Sequence, residues 1–326
     1  MLSSHFVSVD LGEVNDGSAF AMHPIGVMHR LGIPTSPFAC YHSPLFIRLN
    51  NVAIHRIECP MSQPLSIVIN GASGRNGKRL IALCSADPEV RLVGAMVRAS
   101  SHVVGQDAGS VASIAPLGLA LTSHWPTSFG AIIDFSSPEG CMDALEHAVA
   151  KNAPIVIATT GLSPEQIAKI KAASEKIPVC FAPNTSAAVN IGMKLVEHAA
   201  RALKNAPGGA DVEIIERHHR YKEDSPSGTA IKLGQIIAEQ MGIDRHVHGR
   251  EGMVGKRPHN EIGYHAVRVG DDVGQHTIVF GMMGETIEIR VAASNRDCYA
   301  SGAIAAAKFL VNKPPKLYSM ADVLGI

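Results

Sequence analysis

The chain has 326 residues, 46% hydrophobic and 18% charged, with Lys+Arg and Asp+Glu balanced at 29 each. That balance excludes the basic footprint of a nucleic-acid binder, and no apolar run reaches the roughly 18–20 residues of a membrane-spanning helix. Neither a nucleic acid nor a membrane is expected as a partner, and the length suffices for two domains with separate cores.

Residues 1–61 have poor hydrophobic periodicity, and Pro24, Pro34, Pro37 and Pro44 interrupt any element there. Without a charged stretch leading into an apolar one, they resemble neither a secretory nor an import signal. They are expected to be an irregular, dispensable N-terminal extension. From Leu65 short apolar runs alternate with amphipathic stretches. LSIVIN (65–70) predicts a strand, 75–86 a helix and 91–97 a strand. Strands are also predicted at 131–137, 154–159 and 178–183, with helices at 138–152 and 163–176 between them. Buried strands separated by helices of this length imply an α/β fold with a doubly wound, mostly parallel sheet. A helix over 187–205 is followed by the strand-like DVEIIERHH (211–219), a helix from about Ser227 to Met241, and strands at 260–270, 275–282 and 285–293. Closely spaced strands without intervening helices suggest a second, α+β domain with an antiparallel or mixed sheet. The helix over 299–311 is expected to return to the first domain. The expected division is thus 62–186 with 299–326 for a dinucleotide-binding domain, and 187–298 for a substrate-binding and oligomerisation domain.

Cys40, Cys59, Cys84, Cys141, Cys180 and Cys298 form no C-x-x-C pair, as expected of reduced thiols in a cytoplasmic protein. The 16 histidines fall into no zinc-binding pattern, so no metal is expected. GASGRNG (71–77) follows the first predicted strand and opens a helix. Glycines at 71, 74 and 77 allow a tight turn and close approach of a ligand, while the helix start offers free N–H groups to a pyrophosphate. The G-x-x-G-x-x-G spacing has Ser73 where the more familiar fingerprint has glycine, and alone it also fits an ordinary Gly-rich turn. Its place on the first strand of an alternating β/α pattern favours a Rossmann-like dinucleotide site. The second strand ends in Val97-Arg98, with no carboxylate to repel a 2′-phosphate, so NADPH is expected to serve at least as well as NADH. ATTG (158–161) and APNTS (182–186) end two further strands toward the same crevice.

Two adjacent histidines, His218 and His219, then Lys222 and a Pro-Ser-Gly-Thr turn, follow an apolar strand in EIIERHHRYKEDSPSGTA (213–230). A histidine can donate a proton near neutral pH, a lysine supplies a fixed cation, and a helix start after Ser227 can take a carboxylate. In isolation the same stretch also suits a solvated loop with an ordinary helix cap. Taken in order and spacing, GASGRNG, IIDFSSPEG, ATTG, APNTS, EIIERHHRYKEDSPSGTA and GDDVGQHTIVFGMMGETIEI resemble the dihydrodipicolinate reductase family from about Ser66 to Leu310. The resemblance implies NAD(P)H-dependent reduction of the cyclic dicarboxylate 4-hydroxy-tetrahydrodipicolinate with loss of water, in diaminopimelate and lysine biosynthesis, by a cytoplasmic homotetramer. It implies His218 as proton donor/acceptor, Lys222 as second proton donor, and His219, Gly228 and Thr229 as substrate contacts. Cofactor contacts would come from Gly71, Ala72, Ser73, Gly74, Arg75, Asn76, Arg98, Ala158, Thr159, Thr160, Ala182, Pro183, Asn184 and Thr185. Val97, Asn76, Ala158, Thr185 and Val291 depart from residues common in the family; Arg296 remains as a support between domains. The competing expectations are a related NAD(P)-dependent reductase of another small amino or imino acid, and a non-catalytic dinucleotide-binding sensor. The latter would have no use for a proton donor.

Overall fold

The computed structural model describes residues 63–326, which lie within one compact unit, Ser62–Ile326. The expected N-terminal extension, with Cys40 and Cys59, lies outside the described residues. Strands β1 (Leu65–Asn70), β2 (Val90–Met96), β3 (Leu121–Thr122), β4 (Ala131–Asp134), β5 (Ile155–Ile157), β6 (Pro178–Phe181) and β12 (Lys316–Tyr318) form a seven-stranded sheet in the order β12-β6-β5-β4-β1-β2-β3. Every pairing in it is parallel.

Side-chain alternation explains why the strands read as continuous apolar runs. Ile67, Ile69, Ile133, Val156 and Cys180 point into one core, whereas Val68, Ile132, Ile155, Ile157 and Val179 point into another. Both faces are therefore covered, as a parallel sheet requires. Helices α1 (Arg75–Ala86) and α7 (Asp297–Leu310) cover the first face through Leu80, Ile81, Ala303 and Ala307. Helices α3 (Pro138–Ala150) and α4 (Pro164–Ser174) cover the second through Ala144, Leu145 and Ile170. The chain's later helix, α7, packs on the first sheet, and β12 follows it to pair with β6.

Between these segments lie helix α5 (Ala187–Leu203), β7 (Asp211–His218), helix α6 (Gly228–Met241), β8 (Arg245–His248), β9 (Glu261–Arg268), β10 (Gln275–Met282) and β11 (Glu285–Ala292). Their sheet runs β11-β10-β7-β9-β8 and is mixed: β10 is antiparallel to both neighbours, while β7, β9 and β8 are mutually parallel. One face buries Val212, Ile214, Ile262, Ile278 and Phe280 against Val196 of α5 and Leu233 and Ile237 of α6. The other face is polar or half-exposed, the period-two pattern of a sheet covered on one side.

Three strands end earlier than their apolar runs suggest: at Asp134, Ile157 and Phe181 rather than at 137, 159 and 183. The residues beyond leave the sheet as loops, and Ser137 and Ser186 become the N-caps of α3 and α5. A short helix, α2 (Ala108–Val111), and a last one, α8 (Met320–Leu324), complete the described chain.

Candidate active site

The first loop of the parallel sheet is built around a sterically closed turn. Gly71 has φ +82°, and a Cβ there would lie 2.7 Å from the Phe135 carbonyl carbon and closer to its oxygen. Only glycine tolerates both the conformation and the approach. Gly77 packs equally closely on the loop backbone, its Cβ position 2.7 Å from the Ala72 carbonyl. Gly74 is the N-cap of α1; it makes no side-chain cap, and no acidic residue occupies the first turn. The helix start thus presents free N–H groups and its positive dipole end, the chemistry that receives a phosphate. The Oδ1 of Asn76 in that turn is buried without a hydrogen-bond partner, an acceptor that a bound group could satisfy. The cradle fits a dinucleotide. Arg98, at the end of β2, is exposed beside buried Val97.

Under this loop sits a polar knot that sequence reasoning did not single out. Asp134, fully buried at the end of β4, accepts from Asn70 Nδ2 (2.8 Å), Ser136 Oγ (2.5 Å) and Thr159 Oγ1 (2.6 Å). Burial raises its carboxyl above the ordinary range despite those bonds. The knot joins the ends of β1, β4 and β5 and takes up the Thr159 hydroxyl, which also accepts the Ser136 N–H at 3.0 Å; Ala158 and Thr159 are both buried. Thr160 and Pro183 are exposed, while Ala182 and Thr185 are buried. Thr185 donates to the Tyr299 carbonyl at 2.7 Å, a bond that ties the end of β6 to α7 rather than facing a ligand.

His218 is the last residue of β7 and continues its inward-facing series Val212, Ile214, Glu216. Where the apolar core ends, the register of the mixed sheet collects a polar cluster. His218 pairs across β7 and β9 with Arg268, and Glu216 pairs across β7 and β10 with His276. Glu216, 1% exposed, meets His218 Nδ1 at 2.5 Å and takes both terminal nitrogens of Arg268 at 2.7 and 2.9 Å. Its Oε1 also accepts the Ser227 N–H at 3.1 Å. Burial favours the neutral carboxyl, but the Arg268 and His218 hydrogen bonds prevail and hold Glu216 below the usual range. Burial likewise outweighs the pull of Glu216 on His218 and leaves that imidazole below its ordinary value. His276 lies edge-on to His218, ring centroids 5.3 Å apart, with its Nε2 2.8 Å from Ser227 Oγ. Burial, aided by His218, pulls His276 down to about 4.

Beyond β7 the Lys222 ammonium pairs with Asp224 at 2.7 and 2.9 Å. His219 is half-buried, its Nδ1 buried and without a partner. Ser227 caps α6 through Ala230 N–H at 3.2 Å, which leaves Gly228 exposed and Thr229 half-buried at the helix start. Asn184 Nδ2 donates to Thr229 Oγ1 at 3.3 Å, so the APNTS segment meets the histidine segment directly. Arg98 lies two residues past Met96, whose carbonyl accepts the Gly71 and Ala72 N–H groups at 3.1 and 3.0 Å, on the glycine-loop side of the sheet. Among the described residues no group of three or more His, Cys, Asp or Glu side chains could hold a metal. Cys84, Cys141 and Cys180 are free and buried, and Cys298 is free and half-buried. No helix among the described residues is long and apolar enough to cross a membrane.

A parallel nucleotide-type sheet joined to a mixed sheet that carries a buried histidine and a neighbouring lysine defines the class of two-sheet dinucleotide-fold reductases. The family models "Dihydrodipicolinate reductase, N-terminus" and "Dihydrodipicolinate reductase, C-terminus" match residues 65–185 and 188–324. A 4-hydroxy-tetrahydrodipicolinate reductase of Rhodopirellula baltica is 56% identical over 271 residues, 81% of this chain and 97% of that one. Its counterpart in Syntrophotalea carbinolica is 44% identical over 268 residues, 80% and 99% of the two chains. Among solved structures, a dipicolinate-bound dihydrodipicolinate reductase from Paenisporosarcina sp. TG-14 shares the fold, with a TM-score of 0.65 at 23% identity over 80% of this chain and 99% of that one. The chain belongs to the dihydrodipicolinate reductase family.

Proposed function

We propose that the protein catalyses the NAD(P)H-dependent reduction of 4-hydroxy-tetrahydrodipicolinate to tetrahydrodipicolinate, with loss of the 4-hydroxyl as water. The observation that carries this reading is the junction of two half-sites: a proton-donating histidine and a helix start on one side, bonded through Asn184–Thr229 to the nucleotide-side strand end on the other. NADPH or NADH would be held by Gly71–Asn76, Arg98, Ala158–Thr160 and Ala182–Asn184, with Thr185 tying that strand end to α7, and would supply hydride when bound.

The remaining chemistry belongs to the chain. Gly228 and Thr229, at the open start of α6, hold a substrate carboxylate with backbone N–H groups and a hydroxyl. His219, with its unsatisfied Nδ1, contributes a further hydrogen bond to the substrate. His218 gives a proton to the carbon skeleton as negative charge develops there. In the free protein its proton affinity is reduced by burial, and an arriving dianion raises it again, because nearby negative charge favours imidazolium. Substrate binding thus arms the donor. Lys222 exchanges its ion pair with Asp224 for the substrate's charge and serves as the second proton donor.

The same reading divides the chain into a dinucleotide-binding domain (62–186 and 299–326) and a substrate-binding and oligomerisation domain (187–298). The reading includes a cytoplasmic homotetramer; exposed apolar residues on the outward face of the mixed sheet, such as Ile215 and Val267 at 39% and 41% exposure, support burial of that face against another copy. Pathway membership in diaminopimelate and lysine biosynthesis follows from the substrate.

The test is NADPH consumption in a coupled reaction with aspartate semialdehyde, pyruvate and the preceding synthase. Turnover is expected, with His218→Gln and Lys222→Met each lowering kcat by about 10²-fold or more. Absence of turnover by the wild-type protein rejects the reading. A rise in KM alone would demote either residue to substrate positioning.

A further inference from the structure

The four hydrogen bonds of the Glu216 carboxylate go to three different partners. Oε2 meets His218 Nδ1 at 2.5 Å and Arg268 Nη1 at 2.9 Å; Oε1 takes Arg268 Nη2 at 2.7 Å and the Ser227 N–H at 3.1 Å. A purely structural ion pair needs only the arginine. Here one buried carboxylate also grips the ring expected to deliver the proton and the N-cap of the helix expected to hold the substrate carboxylate.

Resting on the reductase reading above, we infer that Glu216 is a positioning residue: it keeps the His218 proton on Nδ1, leaves Nε2 as the atom that trades protons with substrate, and fixes that ring relative to the start of α6. An ionised carboxylate only accepts, so the nitrogen facing it must donate. Nε2 emerges toward Gly274, where a Cβ would lie 2.7 Å away, so the opposite loop carries no side chain at that point. Donation from Nε2 turns imidazolium into the neutral Nδ1–H imidazole, and solvent restores the proton. The groups facing His218 are Glu216 on its own strand, Arg268 on β9, His276 on β10 and Lys222 in the following loop. His276 does not compete for the proton, because Ser227 Oγ, which already accepts from Ala230 N–H, has its hydroxyl hydrogen to offer His276 Nε2.

The test joins two measurements on the full chain. Long-range ¹H–¹⁵N spectra of ¹⁵N-histidine-labelled protein, with the His218 signals assigned through His218→Gln, should show the Nδ1–H tautomer in the neutral form. In Glu216→Gln that preference should be lost. The alkaline limb of kcat/KM should move to lower pH by about 1–3 units, since removing the anion weakens proton binding. Its plateau kcat should fall on the order of 10²-fold, with Glu216→Asp recovering part of the loss. A structural role alone would lower Tm and leave tautomer and pH limb in place, which overturns the inference. So does an Nε2–H tautomer in the wild-type protein, a result that needs no variant to fold. Absence of turnover with the expected tautomer rejects the reductase reading instead, and leaves the Glu216–His218 pairing as measured.

Discussion

Three glycine-to-alanine substitutions separate the two reasons for glycine in the first loop. Gly105 has φ +82° with nothing within 4 Å of its Cβ position, so alanine there meets backbone conformation alone. Gly77 is helical, and its Cβ position presses on the Ala72 carbonyl at 2.7 Å, so alanine there meets contact alone. Gly71 combines φ +82° with the clash against Phe135. A left-handed alanine costs roughly 1–2 kcal/mol, offset by about 0.4–1 kcal/mol from a stiffer unfolded chain, so Gly105→Ala should lose about 1 kcal/mol. Forcing a methyl against backbone costs roughly 1–3 kcal/mol. Helix preference returns about 0.5–1 kcal/mol at Gly77, for a net loss of about 1–2 kcal/mol. Gly71→Ala should then lose about 2–4 kcal/mol. Urea unfolding followed by circular dichroism measures each loss, and NADPH titration reads the site. Displacing the loop should weaken NADPH by about tenfold or more in Gly71→Ala, that is about 1.4 kcal/mol, with no change in Gly105→Ala. Equal stability losses at Gly71 and Gly105, or unchanged NADPH affinity in Gly71→Ala, would refute the reasoning.

Two further outcomes follow from charge. Arg98→Ala should raise KM for NADPH by about tenfold, the worth of one charge-assisted contact to a 2′-phosphate, and leave KM for NADH nearly unchanged; parallel kinetics with both cofactors check it. Burial opposes ionisation of Glu213, yet hydrogen bonds from Arg250, Arg257 and His265 bring its pKa down to about 2 from an ordinary 4.5. A depressed folded-state pKa adds stability that is present above the unfolded value and lost as pH falls through the folded one. Glu213→Gln should therefore remove a stability component that the wild-type protein loses between about pH 4.5 and 2, seen in Tm measured across that range.

The alternating pattern made most of the fold legible. Helix α1 and strand β10 fall on their expected residues, because glycines or short loops bound strongly periodic stretches. β3, β8 and β12 escaped notice. At two to four residues they carry no period, and the edge strand β8, RHVH, is mostly exposed. In the site, His218, Lys222 and Ser227 were legible as one local run. Arg268 and His276 were not, because only the pairing of β7 with β9 and β10 brings them to Glu216 and His218. Glu216 did leave a trace: in DVEIIERH it shares the inward phase of Val212 and Ile214, an acidic residue where an apolar one is due.

Helix α7 and strand β12 complete the parallel sheet from residues more than a hundred positions after β6. During synthesis, the ribosome delivers β1, β2, β4, β5 and β6 long before the segment that covers them. Until then Ile133, Val156 and Cys180, on β4, β5 and β6, lack the cover that α7 later gives them, and β6 presents an unpaired edge. Such an edge is a template for another chain's strand. The nascent protein therefore passes through an interval in which its nucleotide half is formed but sticky, and the mixed sheet must emerge before that half can be closed.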